Sequence, residues 1–304
     1  MKHLFIINPV AGGHDSTEKV KALVTEAFQD LPDESYEFYV TRAPKDATAE
    51  ILRRAETGEE LHVYSCGGDG TFNECINGAA GKDHIAVAPF PIGTGNDFCR
   101  MFGDEKDLFL DIRSLIAGTV HPIDLIACNG IYSVNICSAG IDARVGINVH
   151  KYSSLPLLSG RIGYVVSLII ELLKGLNTEM KVRCGGKTYS GKFALACVCN
   201  GRYYGGGFMP SADAMPDDGE LDIYLAKGMN LLSAAANIGK YASGRADEAP
   251  QHIIHLKGQS ITIEFAEESV LNIDGEAVFS KTADMKLERG ALNLIVPNGS
   301  GFFS

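Results

Sequence analysis

The sequence has no pair of cysteines separated by two residues, although it contains eight cysteines in 304 residues. Without such a pair a zinc site is not expected, and scattered cysteines in a chain of this length do not form a disulfide framework. The cysteines are therefore expected to be small buried apolar residues in a reducing compartment.

The sequence also lacks an excess of basic residues, because 27 Lys and Arg against 38 Asp and Glu give a formal net charge of −11. Nucleic-acid binding relies on cations that neutralise phosphates, so nucleic acid is not expected as a partner. No apolar run reaches the ~20 residues of a membrane-spanning helix. The segment Met1–Pro9 is typical of a first strand rather than a signal peptide. We expect a soluble cytoplasmic protein with only peripheral membrane contact.

Strand and helix patterns alternate over the first 125 residues. The predicted strands are Leu4–Asn8, Tyr36–Val40, Leu61–Ser65 and Ile85–Ala88. Apolar residues at helical spacing lie between them. This succession predicts a mostly parallel sheet with helices on both faces.

The pattern changes near Val120 to short strands separated by turns. Only Arg161–Lys174 and Leu231–Ser243 have the spacing of helices. This pattern is typical of an antiparallel β domain, most simply a sandwich. The last predicted strand, Ala291–Val296, is compatible with either domain.

Glycine-rich loops follow three predicted strands of the first domain. They are Asn8–Gly13, Gly67–Thr71 and Gly93–Asp97. Ligands of open α/β sheets bind at the carboxyl ends of the strands. Glycines there let backbone N–H groups approach a phosphate at a helix N-terminus. One such loop would indicate only a turn, but three in one sheet predict a phosphate-binding site.

Asp69 lies inside the second loop, where a carboxylate repels phosphates unless a cation lies between them. We expect it to bind Mg²⁺ directly or through water. Asp97 and Asp124 are the expected partners at the ends of neighbouring strands. Capping of the following helix is the alternative role of Asp69. Neither loop matches a Walker sequence or the dinucleotide-binding fingerprint.

Four ordered motifs resemble the diacylglycerol kinase catalytic family, which groups bacterial soluble lipid kinases with diacylglycerol, sphingosine and ceramide kinases. They are Asn8-Pro9-x-Ala11-Gly12, Gly67-Gly68-Asp69-Gly70-Thr71-x-Asn73-Glu74, Gly93-Thr94-Gly95-Asn96-Asp97-Phe98 and Asp274-Gly275-Glu276. The resemblance covers essentially the whole chain. It implies an ATP- and Mg²⁺-dependent lipid kinase, with conversion of diacylglycerol to phosphatidic acid as the expected reaction.

The resemblance also implies a two-domain fold. Residues 1–124 are expected to form an α/β ATP-binding domain, Rossmann-like with a mostly parallel sheet. Residues 125–287 are expected to form an antiparallel β-sandwich for the lipid substrate, and segment 288–304 to return to the first domain. The active site is expected in the interdomain cleft. Relatives make a homodimer an expectation as well.

The implied nucleotide site draws on all three loops and on a threonine after the second strand. Its members are Asn8, Pro9, Ala11, Gly12, Thr41, Gly67, Gly68, Asp69, Gly70, Thr71, Asn73, Glu74, Thr94, Gly95, Asn96 and Asp97. Glu276 is the implied general base for a lipid hydroxyl, with Asp69 and Asp274 as further catalytic residues. By itself, Asp274-Gly275 would indicate only a surface turn.

The segment Met215–Leu221 resembles the structural metal loop of the family. There Mg²⁺ is held by one carboxylate, here Asp218, and by backbone carbonyls at the positions of Met215 and Glu220. Mixed oxygen ligands of this kind suit Mg²⁺ or Ca²⁺. Without the resemblance, Pro-Asp-Asp-Gly indicates a turn before a strand.

Two other functions share part of this pattern. NAD kinases share the Gly-Gly-Asp-Gly-Thr element and a similar architecture, but Gly93–Phe98 and the late Asp274–Glu276 are typical of the lipid branch. A regulator that only binds nucleotide or lipid would not need the base Glu276. Among lipid acceptors, phosphatidylglycerol, ceramide and sphingoid bases stay open beside diacylglycerol.

Overall fold

The computed structural model of the protein describes residues 1–145 and 175–303. They divide into two compact units, which are Met1–Leu125 with the chain from Arg289 onward, and the described part of Ile126–Glu288. The helix predicted at Arg161–Lys174 lies outside the described residues. Within the two described ranges, no helix is long and apolar enough to cross a membrane.

Strands and helices alternate along the first unit. The strands are β1 (Lys2–Ile7), β2 (Ser35–Val40), β3 (Leu61–Gly67) and β4 (Ile85–Pro91), and the helices are α1 (Thr17–Ala27), α2 (Asp46–Ala55), α3 (Asp69–Ala79), α4 (Asp97–Arg100) and α5 (Ile112–Ile116). Pairing is parallel from β2 to β1, from β1 to β3 and from β3 to β4. The carboxyl ends of β1, β3 and β4 therefore meet at one edge of the sheet.

The central strands of this sheet are buried, as expected for parallel strands with covered faces. Phe5 of β1 stacks on Tyr64 of β3 with ring centroids 4.5 Å apart. Val20 and Val24, four residues apart on α1, are buried, as is Ile51 of α2. The apolar stripe of each helix thus supplies the core that holds the strands in register.

From Thr119 onward the strands are mainly antiparallel, and most of them belong to the second unit. They are β5 (Thr119–Cys128), β6 (Ile131–Ser133), β7 (Ile136–Gly140), β8 (Thr178–Cys184), β9 (Lys187–Cys199), β10 (Leu221–Lys227), β11 (Ile253–Gly258), β12 (Ser260–Ile273) and β13 (Glu276–Val296), with helix α6 at Leu231–Tyr241. Residues 141–145 form one further helical turn. The ladders β7–β9, β9–β10, β10–β11 and β12–β13 are all antiparallel.

Alternating side chains of β9 and β10 enter two separate apolar clusters. Val198 and Ile223 belong to the first cluster, together with residues of β8, β12 and β13. Cys197 and Tyr224 belong to the second, which also contains Tyr241 of α6. Successive side chains of a strand point to opposite faces, so both faces of these strands are covered.

All eight cysteines are buried and unpaired by disulfides, which confirms their prediction as core residues.

Two predicted strands, Ser260–Phe265 and Val270–Ile273, are parts of the single strand β12. Its register against β13 shifts between Glu264 and Ser269. The residues at the shift include the exposed Glu267 and Glu268, whose charge made this stretch look like a loop. Similarly, the predicted strand Ala291–Val296 is the end of β13, which pairs in parallel with β4 there.

Candidate active site

The first glycine loop is tied to the second through Asn8. Its backbone N–H donates to the carbonyl of Cys66 at 3.0 Å. Its Nδ2 donates to Oγ1 of Thr71 at 2.9 Å, while its Oδ1 accepts the N–H of Val10 at 3.1 Å. Thr41, at the end of β2, donates its N–H to the carbonyl of Ile7 at 2.9 Å. These bonds follow from the parallel order of the strands, which brings their ends together.

The second and third loops touch through their backbones. The N–H groups of Ile92 and Gly93 both donate to the carbonyl of Gly67, at 3.0 and 3.1 Å. A Cβ atom at Gly93 would overlap Cα of Gly68 and lie 3.0 Å from its nitrogen. Glycine is therefore required sterically at this crossing. The structure brings together the glycine loops that the sequence predicts.

Asp69 bridges these two loops. Its Oδ1 accepts the N–H of Asp97 at 2.6 Å. Burial raises the pKa of the Asp69 carboxyl, and the backbone N–H groups of Asp97 and Asn96 act in the opposite direction. Asp69 thus accepts hydrogen bonds at the start of α4, rather than only at its own helix α3.

Arg100 lies beside the third loop and is absent from the predicted site residues. Its Nε donates to the carbonyl of Gly95 at 3.1 Å and pairs with Oδ1 of Asp97 at the same distance. Both contacts use Nε, and the side chain is 40% exposed. A guanidinium at a phosphate-binding loop is a suitable anion ligand. The only sequence signal was its position three residues after Asp97, which also suits an ordinary helix ion pair.

Asp124 makes a backbone contact of its own. It is buried in β5, and its Oδ1 accepts the N–H of Gly290 at 2.7 Å. In the described ranges, no group of three or more His, Cys, Asp or Glu is placed to hold a metal ion. The structure joins the carboxylate of Asp69 to the backbone N–H of Asp97, and the metal role of Asp69, Asp97 and Asp124 stays a prediction.

Glu74 has a structural role that its motif did not indicate. Its carboxylate accepts the N–H groups of Lys45 at 2.8 Å and Ala47 at 3.1 Å, at the start of α2. It therefore caps a neighbouring helix, a role that stands beside its predicted contact with the nucleotide. Asn73 is buried, and its carbonyl and Oδ1 both accept bonds from Nδ2 of Asn77.

Asp274 and Gly275 form the two-residue turn between β12 and β13. Both have positive φ, 46° and 94°, and Ile273 pairs with Glu276 across the turn. This is the left-handed geometry that Asp-Gly favours in a β-hairpin. The residues of the predicted Asp-Gly-Glu motif therefore also form the predicted turn.

The carboxylate of Asp274 is committed to the backbone. It accepts the N–H groups of Val134 at 2.7 Å, of Ile136 at 2.8 Å and of Asn135 at 3.2 Å. Burial raises the pKa of this carboxyl against the effect of these bonds. Glu276, by contrast, is exposed at the first position of β13. Asp274 fixes the turn, and the carboxylate of Glu276 stays exposed beside it.

The predicted metal turn brings its three members together. Oδ1 of Asp218 accepts the N–H of Glu220 at 2.9 Å, and the carbonyl of Met215 accepts the N–H of Asp218 at 3.4 Å. Burial raises the pKa of Asp218, while the N–H of Glu220 and the charge of Lys257 lower it; the carboxylates of Asp222 and Glu220 raise it further. Lys257 lies 3.5 Å from the carboxylate of Glu220 and 3.8 Å from that of Asp222, and so balances part of the negative charge near this turn.

The second unit contains an apolar cavity of about 410 Å³. Its walls come from β9, β10, α6 and the helical turn at 141–145. Representative lining residues are Ile141, Leu195, Ala226, Met229, Ile238 and Ile253. This volume and lining are typical of a site for an apolar small molecule. No sequence motif marks the cavity, because its lining residues come from separate strands and one helix.

A short polar chain enters the wall of this cavity. Oγ of Ser138 donates to Oδ2 of Asp142 at 2.6 Å. The hydroxyl of Tyr204 also bonds to Asp142, and it lies 3.1 Å from the hydroxyl of Tyr241. Burial raises the pKa of the Asp142 carboxyl. These hydrogen-bonded groups are the polar part of an otherwise apolar wall.

Two family models match the chain. The model described as the diacylglycerol kinase catalytic domain matches residues 2–128. The model described as the YegS C-terminal NAD kinase beta sandwich-like domain matches residues 135–296. Together they span both units.

Relatives resemble the chain over nearly its whole length. A protein named diacylglycerol kinase from Bacillus subtilis (strain 168) is 30% identical, covering 91% of this chain and 90% of that protein. The structure of a diacylglycerol kinase from Bacillus anthracis str. Sterne has 25% identity and a TM-score of 0.70, covering 98% of each chain. Another protein of that strain, described provisionally as a diacylglycerol kinase, has 29% identity and a TM-score of 0.75, covering 98% and 97%.

The crossing of the second and third loops predicts opposite effects for two glycine substitutions. Gly93→Ala should lower the free energy of unfolding by about 1–3 kcal/mol, because the added methyl group forces the loops apart. Gly70→Ala should leave it unchanged or raise it by up to ~1 kcal/mol, since its Cβ would meet no atom within 4 Å in helix α3. Urea unfolding followed by circular dichroism measures both. Equal effects would contradict the steric requirement at Gly93.

Proposed function

The chain belongs to the diacylglycerol kinase catalytic-domain family, and we propose that it transfers the γ-phosphoryl group of ATP to the hydroxyl of a lipid, diacylglycerol being the expected acceptor. The observation that carries the proposal is the junction of three glycine loops at one sheet edge. The apolar cavity of the second unit supports a lipid as the acceptor. Because such lipids reside in membranes, the proposal includes peripheral contact with a membrane.

We assign the phosphates of ATP to the backbone of the three loops. Amide N–H groups near Gly12, Gly68 and Thr94 are suitable donors, since they lie in loops at the carboxyl ends of β1, β3 and β4. The remaining members of the assigned nucleotide site are Asn8, Pro9, Ala11, Thr41, Gly67, Gly70, Thr71, Gly95 and Asn96. Asn73 and Glu74 are left out because their side chains serve helix packing.

We assign Asp69 and Asp97 to the Mg²⁺ that accompanies ATP. Mg²⁺ in phosphotransferases keeps several waters and is held by one or two carboxylates plus phosphate oxygens, so two carboxylates suffice. The buried Oδ1 of Asn96 has no hydrogen-bond partner among the described residues. It could accept a hydrogen bond from one of the waters that Mg²⁺ keeps. The ion would neutralise charge on the phosphates during transfer. Asp124 is assigned to supporting β13 through Gly290.

The proposed chemistry assigns proton removal to Glu276. Its carboxylate accepts the proton of the lipid hydroxyl, and the hydroxyl oxygen forms a bond to the γ-phosphorus of ATP. The bond from that phosphorus to the β–γ bridging oxygen breaks, and ADP leaves. Asp274 is assigned as the positioning residue, since its hydrogen bonds to three backbone N–H groups hold the turn from which Glu276 projects. The glycine loops are thus assigned to the phosphate donor and the Asp274–Glu276 turn to the base.

We assign a second cation to the turn Met215–Glu220. Asp218 would hold it with its carboxylate, and Met215 and Glu220 with their backbone carbonyls. The support is the geometry of the turn, in which Asp218 bonds to the N–H of Glu220 and to the carbonyl of Met215. Such an ion would stabilise the entry into β10 rather than take part in phosphoryl transfer.

A panel of acceptors tests the proposed function. We expect phosphate transfer from radiolabelled ATP to diacylglycerol, detected by thin-layer chromatography as phosphatidic acid. Phosphatidylglycerol, ceramide, a sphingoid base and NAD serve as competing acceptors in parallel reactions. Transfer to NAD without transfer to any lipid would overturn the proposal.

Glu276→Gln should bind ATP as the wild type does but lose activity by about 10²–10⁴-fold, because the amide cannot accept the proton. Calorimetric titration with ATP and the initial rate of transfer separate the two effects. Glu267→Gln, an exposed glutamate in β12, is the control and should retain full activity. Full activity in Glu276→Gln would remove this residue from the mechanism.

Asp69→Asn should raise the Mg²⁺ concentration needed for half-maximal rate and lower kcat by about 10²-fold, since a charged metal ligand is lost. The amide oxygen can still accept the N–H of Asp97, so the fold should persist. A Mg²⁺ titration of the rate, with circular dichroism as the folding control, measures this. An unchanged Mg²⁺ requirement would refute the assignment of Asp69 to the metal.

A further inference from the structure

Helix α6 leaves large apolar side chains uncovered. Leu231 is 55% exposed, Leu232 is 83% exposed and Ile238 is 47% exposed. Ala235 and Ala236 are exposed as well. Exposed apolar residues that cluster on one short helix mark an interaction surface. We call this set, together with Lys227 at the end of β10, the α6 surface.

The α6 surface is continuous with the apolar cavity. Leu231, Ala235 and Ile238, at positions i, i+4 and i+7 of the helix, also line the cavity. Because Leu231 and Ile238 are about half exposed at the same time, the cavity opens beside this surface. An apolar molecule could therefore move from the exposed side of α6, past Leu231 and Ile238, into the cavity.

The local charge of this segment is opposite to that of the whole chain. Residues 223–246 contain Lys227, Lys240 and Arg245 but no Asp or Glu, although the net charge of the protein is −11. Nζ of Lys227 and Nζ of Lys240 donate to backbone carbonyls. These acceptors are neutral, so the bonds do not cancel the positive charge of either lysine. Arg245 lies 3.7 Å from the carboxylate of Glu248. Apolar side chains beside lysines suit an anionic membrane surface.

The start of α6 is held in place by two asparagines. Oδ1 of Asn230 accepts the N–H of Ser233 at 2.9 Å and caps the helix. Asn177 binds both backbone groups of Met229, accepting its N–H and donating to its carbonyl, each at 3.0 Å. Leu231 and Leu232 are therefore presented from a fixed position rather than from a loose loop.

We propose that the α6 surface docks on a bilayer containing anionic phospholipid and admits the acyl chain of the lipid substrate into the cavity behind it. Leu231 and Leu232 enter the interfacial layer, while Lys227 contacts the headgroups. The inference rests on the proposed function, because it identifies the route by which the lipid acceptor leaves the membrane. It adds a surface that neither the nucleotide loops nor Glu276 defines.

Partitioning to vesicles tests the α6 surface. We compare phosphatidylcholine vesicles with and without phosphatidylglycerol, measuring bound protein by sedimentation. Leu232→Gln should weaken binding to both about tenfold, from the apolar area lost. Lys227→Glu should weaken binding to the anionic vesicles by about fivefold or more. The matched control is Leu52→Gln, an exposed leucine on α2, which should bind as the wild type does.

Phosphoryl transfer separates this inference from the proposed function. Leu232 does not line the cavity, so Leu232→Gln should lose activity on vesicle-borne diacylglycerol and keep it on a short-chain diacylglycerol in neutral micelles. Equal vesicle binding by Leu232→Gln and the wild type would overturn the docking proposal, even if the enzyme phosphorylates lipids. Binding that depends on Leu232 without phosphorylation of any lipid would uphold docking and overturn the function.

Self-association is the competing occupant of the α6 surface. Light scattering of the wild type and of Leu232→Gln over a range of concentrations measures the oligomeric state. A dimer that Leu232→Gln converts to a monomer, with vesicle binding unchanged, would assign the surface to a second copy of the chain. An oligomeric state that is the same in both proteins, with weaker vesicle binding in Leu232→Gln, upholds the membrane assignment.

Discussion

The carboxylate of Asp69 accepts the N–H of Asp97 across two neighbouring loops, and the other contacts of the candidate nucleotide site are arranged around this bond. It is possible because β3 and β4 are parallel neighbours, whose loops leave the sheet side by side. At Gly93 the backbones come so close that no side chain fits. Donors held in advance need no reorganisation when a phosphate binds, which is the condition for strong electrostatic stabilisation.

A similar division of tasks is found in the second unit. Asp274 uses its carboxylate to bind three consecutive backbone N–H groups and thereby fixes the hairpin turn. Glu276, two residues later, stays exposed. A carboxylate that holds a turn and the base proposed for the lipid hydroxyl need opposite environments, since burial and hydrogen bonds engage the first. The motif Asp-Gly-Glu places both in one turn.

The strands of the second unit also account for the cavity and for the surface beside it. One face of β9 and β10 packs on the other strands, and the opposite face, with Cys197 and Tyr224, packs towards α6. Where the helix does not fill this second face, an apolar cavity remains. A chain with a net charge of −11 can in this way carry a local apolar and cationic surface, since charges farther away than about 10 Å are largely screened.

The sequence by itself determined the alternation of strands and helices, the three glycine loops and the Asp-Gly turn, because each depends on local spacing and backbone geometry. Only the tertiary structure decided that Glu74 caps α2, that Asp124 supports Gly290, and that Arg100 joins the third loop. These roles depend on which distant backbone groups a side chain meets. The cavity near Asp142 was likewise hidden, since its walls come from strands and a helix far apart in the chain. Local spacing is enough to predict strands, helices and turns, but contacts between separated segments exist only after folding.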